Sequence, residues 1–166
     1  MKFVDKLIQN PVYIESLKEI EAAERERVFC CHGIAHFMDV ARIAYIYNLE
    51  QELGLEKEMI YLAALLHDIG RAEEYNTGVP HEQASKKLAV FILSELDYPR
   101  EKFDLIIRAI ENYRNREIKE LYSDDPSEQL NVLINMADKQ SRNCFFCSAY
   151  EMCNWSEDKK NKFIIQ

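Results

Sequence analysis

His67 and Asp68 stand side by side at the end of an eight-residue apolar run, Met59 to Leu66. A helix that apolar has to be covered on every side, so the carboxylate following it is carried into the interior. An ionised carboxylate is costly there without a partner, and a divalent cation is one partner that offsets the cost. Successive helical residues point about 100° apart, close to the ~90° between neighbouring corners of an octahedron. A longer imidazole and a shorter carboxylate at a helix end can therefore take adjacent positions on one ion. The remaining ligands must come from elsewhere in the chain. His36, in the apolar stretch between Ile34 and Tyr47, is the best nitrogen candidate, and Asp138, in LINMADKQ, the best oxygen candidate. Two imidazoles and two carboxylates suit manganese, ferrous iron, cobalt, nickel, magnesium or zinc, and leave about two octahedral positions open. Open positions imply catalysis: such a cation draws a nucleophile from water near neutral pH and neutralises charge on a phosphoryl oxygen.

The ordered set His36-x-x-x-Val40-Ala41-Arg42, Leu65-Leu66-His67-Asp68-Ile69-Gly70 and Ala137-Asp138-Lys139 resembles the HD-domain superfamily of metal-dependent phosphohydrolases, over roughly residues 31–142. The resemblance implies an all-helical fold whose central helices supply His36, His67, Asp68 and Asp138 as metal ligands. It also implies hydrolysis of a phosphoester or phosphoanhydride, often in a nucleotide. Members with two metals carry two further histidines before the last aspartate. His81, in HEQAS, resembles the first, and Asn112, in IRAIENYRN, stands where the second is expected. One ion is thus implied, which weighs against the di-iron oxygenases of the superfamily.

Asp68 and His81 carry the catalytic expectation, His81 as a general acid or a donor to phosphate. Its alternative is a solvent position at a helix start. Arg71 follows the His-Asp turn and could clamp a phosphate oxygen; alternatively it pairs with Glu73 or Glu74 on the surface. Some single-metal members place a water-positioning Glu at a spacing that here falls on Ala72, with Glu73 a weak substitute. His32, one helical turn before His36, is expected to line the substrate cleft, with a supporting role behind the ligands or a capping role as alternatives.

Five cysteines complete the set of reactive side chains. Cys144-Phe-Phe-Cys147 with Cys153 has the spacing of a thiolate metal grip, and Cys30 or Cys31 could supply a fourth ligand. Cys30 lies six residues before His36 and Cys144 six residues after Asp138. Antiparallel packing of those two segments would bring both cysteines to one end, where a structural zinc or an iron-sulfur cluster would pin the tail. The alternative is five reduced thiols, since an odd number with no export signal argues against a disulfide framework.

The elements that position these groups read as helices. The chain of 166 residues carries 21 basic and 29 acidic side chains, a net charge of −8, and is 48% hydrophobic. That suffices for the core of one domain. Four Gly and four Pro are too few for the turns of an all-β domain. The expected architecture is all-α, a single-domain bundle of about six or more helices, with a core near 31–142 and a cysteine-containing tail over 143–166. Helices are expected from Val12 to about Glu26, from near Cys31 to a stop at Gly54, from Lys57 to His67, from Pro80 to about Leu96, from Pro99 to Asn112, and from Pro126 after the cap Asp125. The second, apolar on nearly all sides, is expected at the centre. In the fourth, Ala84, Leu88, Phe91, Ile92 and Leu96 form the apolar face.

An acidic balance disfavours binding along extended nucleic acid. No apolar run approaches the ~18 residues of a membrane span, and the N-terminus does not read as a signal peptide. A cytoplasmic location is expected. The expected function is a metal-dependent phosphohydrolase acting on a small phosphorylated metabolite, a nucleotide foremost. The alternative is a regulatory module that binds metal or nucleotide without turnover.

Overall fold

The computed structural model describes residues 1–112 and 121–164. Among these residues the chain forms eight α-helices and no strand: α1 (Lys2–Leu7), α2 (Pro11–Ala23), α3 (Ile34–Glu50), α4 (Lys57–Leu66), α5 (Arg71–Thr77), α6 (His81–Glu95), α7 (Arg100–Glu111) and α8 (Pro126–Gln140). Two short 3-10 turns, Cys144–Phe146 and Tyr150–Met152, follow α8.

The centre of the bundle is α4. Every residue from Met59 to Leu66 is buried, because α3, α7, α8, α1 and α6 all pack against it. Ile60, Leu62, Leu65 and Leu66 are fully enclosed, each contributing roughly 1.5–3 kcal/mol from the water-exposed state. The expectation that the segment beginning near Cys31 would be central is corrected here. It packs chiefly on α4 and α8, so Phe37, Val40, Ala41, Ala44 and Asn48 are buried while Ile34, Ile46 and Leu49 face solvent. Its end also differs: α3 stops at Glu50, and both Glu52 (φ 53°) and Gly54 (φ 74°) take left-handed conformations in the turn. Buried Asn48 fastens that turn, its Oδ1 accepting from Leu55 N at 2.9 Å and its Nδ2 donating to Leu55 O at 3.1 Å.

Side chains cap two of the helices. Asn10 Oδ1 accepts from Val12 N and Tyr13 N at 2.9 and 3.1 Å ahead of α2, and Asp125 Oδ1 accepts from Ser127 N at 2.8 Å ahead of α8. On α7 and α8 the apolar stripes, Phe103, Ile106, Ile107 and Ile110 with Leu130, Leu133, Ile134 and Ala137, are all buried. On α6, Phe91 is half exposed and Leu93 fully buried instead, since α6 turns its face to α5 and α7. No helix among the described residues is long and apolar enough to cross a membrane.

Candidate metal centre

Burial of α4 delivers His67 and Asp68, 1% and 0% exposed, into the interior where α4 ends. The chain then turns through Gly70 into α5. A Cβ on Gly70 would lie 2.3 Å from the backbone nitrogen of Ser85 and 2.6 Å from Ala84, so only glycine lets α5 begin this close to α6. Gly70 N donates to Ser85 Oγ at 2.9 Å across the contact. The same junction sets His81, at the start of α6, against Asp68: His81 Nε2 is 3.1 Å from Asp68 Oδ1.

From α3 comes His36 and from α8 Asp138, with Nε2 and Oδ1 3.3 Å apart. The rings of His36 and His67 lie 5.9 Å apart between centroids, and those of His32 and His36 5.3 Å. Ligand atoms of His36, His67 and Asp138 all fall within 4.8 Å of one another, and so do those of His32, His36 and Asp68. His67 Nε2 joins the two groups at 3.6 Å from Asp68 Oδ2.

The hydrogen bonds fix which ring nitrogen carries the proton. His67 Nδ1 meets the Ala64 carbonyl at 2.7 Å, which can only accept. His32 Nδ1 meets the Glu24 carboxylate at 2.6 Å. His36 Nδ1 meets Ser141 Oγ at 3.2 Å, and that hydroxyl already gives its hydrogen to Asp138 O at 2.7 Å, so it accepts from the ring. In each neutral ring Nδ1 therefore holds the hydrogen and Nε2 presents an electron pair. Burial holds the pKa of both His67 and His32 below the usual histidine value. His36 Nε2 is buried without a hydrogen-bond partner. Imidazole electron pairs facing carboxylate oxygens repel unless a cation lies between them, and that donor set fits a divalent ion.

Asp68 is ionised: burial pushes its pKa up, but the Arg71 guanidinium on Oδ2 and the His81 ring against Oδ1 outweigh burial and hold it well below the carboxylate range. Arg71 donates Nε to Asp68 Oδ2 at 2.7 Å, and its Nη1 lies 3.9 Å from Glu74. Of the two sequence expectations for Arg71, phosphate clamp and carboxylate pair, the structure shows the pair with Glu74 and adds to it the neutralisation of the buried aspartate. His81 is 1% exposed, which removes the solvent alternative. Its Nδ1 contacts Glu74 Oε2 at 2.8 Å, leaving the ring between two carboxylates.

Sequence reasoning missed two residues. Glu74, not Glu73, reaches the site; its signal was the i, i+3 ladder Asp68, Arg71, Glu74. Glu24, behind His32, had none, because its position depends on how the connection after α2 folds back. Ala72 is buried in the core and Asn112 turns back to donate to Arg108 O, so neither enters the cluster.

The cysteines remain free thiols. Burial, followed by the Cys144 thiol, pushes the Cys30 pKa up. Yet among the described residues no three ligand atoms within 4.8 Å of one another include a sulfur. The described residues thus bring no thiolate set together from Cys30, Cys144, Cys147 and Cys153; Cys144 opens the first 3-10 turn, and Cys147 and Cys153 directly follow the two turns.

The model of the family described as "HD domain" matches residues 33–143, and the chain belongs to that family. A protein of Clostridium beijerinckii (strain ATCC 51743 / NCIMB 8052), described as uncharacterized, is 39% identical over 155 residues, covering 93% of each chain. A crystal structure of a predicted HD superfamily hydrolase from an uncultured Thermotogales bacterium shares the fold, with a TM-score of 0.62 and 20% identity over 95% of this chain and 86% of that one.

Proposed function

We propose that the protein is a metal-dependent phosphohydrolase that cleaves a phosphoester or phosphoanhydride of a small phosphorylated metabolite, with nucleotides as the leading substrate class. His36, His67, Asp68 and Asp138 would hold one divalent cation. When bound, such an ion supplies Lewis-acid stabilisation of phosphoryl charge and a nucleophile drawn from water near neutral pH.

The chain's own residues do the rest. His36 and His67 present electron pairs at Nε2 because their Nδ1 hydrogens are committed to Ser141 and Ala64. Arg71, pinned through Nε on Asp68, keeps a second positive charge at the edge of the cluster, where an anionic phosphate gains from it. His81, between Asp68 and Glu74, can hold a proton at Nε2 and pass it to the leaving oxygen. The observation that carries the reading is the common orientation of the buried imidazoles, each anchored at Nδ1 and turned through Nε2 toward a carboxylate. The −8 net charge favours a small anion met at a local cationic site over a polyanion tracked along the surface.

Nucleoside mono- and triphosphates assayed with manganese, cobalt or magnesium should be turned over. The Asp68→Ala variant should lose more than about a hundredfold, since even the outer partners of a metal ligand are worth about 10- to 100-fold. Undiminished turnover by that variant removes the mechanism. A module that binds without turnover is favoured by buried Ala72, which leaves no carboxylate at that position. Tight nucleotide binding without product over long incubation would establish it.

A further inference from the structure

We infer that His32 is a fifth protein ligand of the cation, set in place by the Glu24 carboxylate behind it; this rests on the metal site of the proposed function and enlarges it. His32 belongs to the connection between α2 and α3, yet it is only 7% exposed. Glu24, itself 5% exposed, grips it twice. Its Oε2 accepts from the His32 backbone N–H at 2.6 Å, and its Oε1 accepts from Nδ1 at 2.6 Å. Tyr75 of α5 donates its hydroxyl to the same Oε1 at 2.5 Å. Arg27 braces the assembly, donating Nη1 to Tyr75 Oη at 3.3 Å and Nε to Cys30 O at 2.8 Å. One residue from α5 and two from the connection after α2 thus serve to orient a single ring.

The other edge of that ring shows what the orientation is for. His32 Nε2 faces Asp68 Oδ2 at 3.9 Å, too far for a hydrogen bond. Its ligand atom falls within 4.8 Å of those of both His36 and Asp68. A carboxylate that fixes Nδ1–H raises the basicity of Nε2 and is the usual partner behind a metal-bound imidazole. A contact from His32 to substrate phosphate needs a hydrogen on Nε2, whereas the neutral ring has spent its hydrogen on Glu24 and offers an electron pair. A helix-capping histidine would need no acid behind it. The cation's protein ligands are therefore His32, His36, His67, Asp68 and Asp138, and Glu24 is a positioning residue.

The test is titration of metal-free protein with cobalt(II), reading affinity by calorimetry and coordination by visible absorption. Wild type, His32→Ala, Glu24→Gln and His36→Ala are compared after circular dichroism shows each to be folded. His32→Ala should weaken cobalt binding at least about tenfold and change the absorption spectrum, and Glu24→Gln should weaken it about 10- to 100-fold. If His32→Ala does not fold, His32→Asn, whose amide can keep the bond to Glu24, carries the same expectation. Unchanged affinity and spectrum in the His32 variant, with binding lost in His36→Ala, overturn the fifth ligand and leave the four-ligand site standing. Failure of wild-type protein to bind cobalt overturns both.

Discussion

Asp68 concentrates the energetics of the site in one side chain. It is wholly enclosed, and its charge is met by Arg71 at 2.7 Å and by His81 at 3.1 Å. Removing one partner of a buried ion pair costs about 3–5 kcal/mol, because the survivor keeps its desolvation penalty. Arg71→Met should therefore lower unfolding stability by roughly 3 kcal/mol in metal-free protein. The deficit should shrink when a divalent ion is added, since the ion takes over part of the neutralisation. Urea unfolding with and without manganese measures both, and an equal deficit in the two conditions would show that Arg71 and the ion do not share Asp68. At this scale much was legible in the sequence. His67-Asp68 at the end of a run with no polar face announces a buried charge, and His36 and Asp138 stand in apolar surroundings that make their polarity conspicuous. What stayed hidden were the groups behind the histidines. A backbone carbonyl such as Ala64 O leaves no mark in a sequence, and Glu24 is one acid among many until the chain folds back over it.

Between elements, the decisive contact is the junction of α5 and α6. Gly70 has an ordinary φ of −87°, so it is required there for space and not for backbone freedom. Gly70→Ala would press a methyl group against the Ser85 backbone and force the two helices apart. A cost of roughly 3 kcal/mol follows from overpacking of this kind, which lowers the melting temperature by about 6–12 °C for a domain of this size. Because Asp68 and His81 flank the junction, cation affinity should fall in the same variant. A thermal melt beside a metal titration checks this, and an unchanged melting temperature would mean that the helices part freely. Long elements were legible through their caps and stripes, as with Asp125, Pro126 and the apolar positions of α7 and α8. The six-residue α1 and seven-residue α5 were not, because too few turns exist to display a periodicity. The placement of α3 was misjudged for a different reason: residues such as Ile46 and Leu49 make a segment look central although only one side of it is covered.

For the molecule as a whole, an ion held by His36, the His67-Asp68 pair and Asp138 would cross-link α3, the end of α4 and α8. Binding to the folded state alone stabilises by about 2.7 kcal/mol at a ligand concentration of 100 Kd. Chelation should thus lower the melting temperature by about 5–10 °C relative to protein saturated with manganese, and scanning calorimetry in the two conditions measures it. Identical melting curves would mean that no ion ties these helices. The order of the ligands along the chain has one more consequence. His36 and the His67-Asp68 pair precede Asp138 along the chain, and the Ser141 hydroxyl that orients His36 follows directly after α8. A nascent polypeptide still lacking α8 would offer an incomplete grip, so an ion would find its full set of holders only once that helix has been made and has folded against α3.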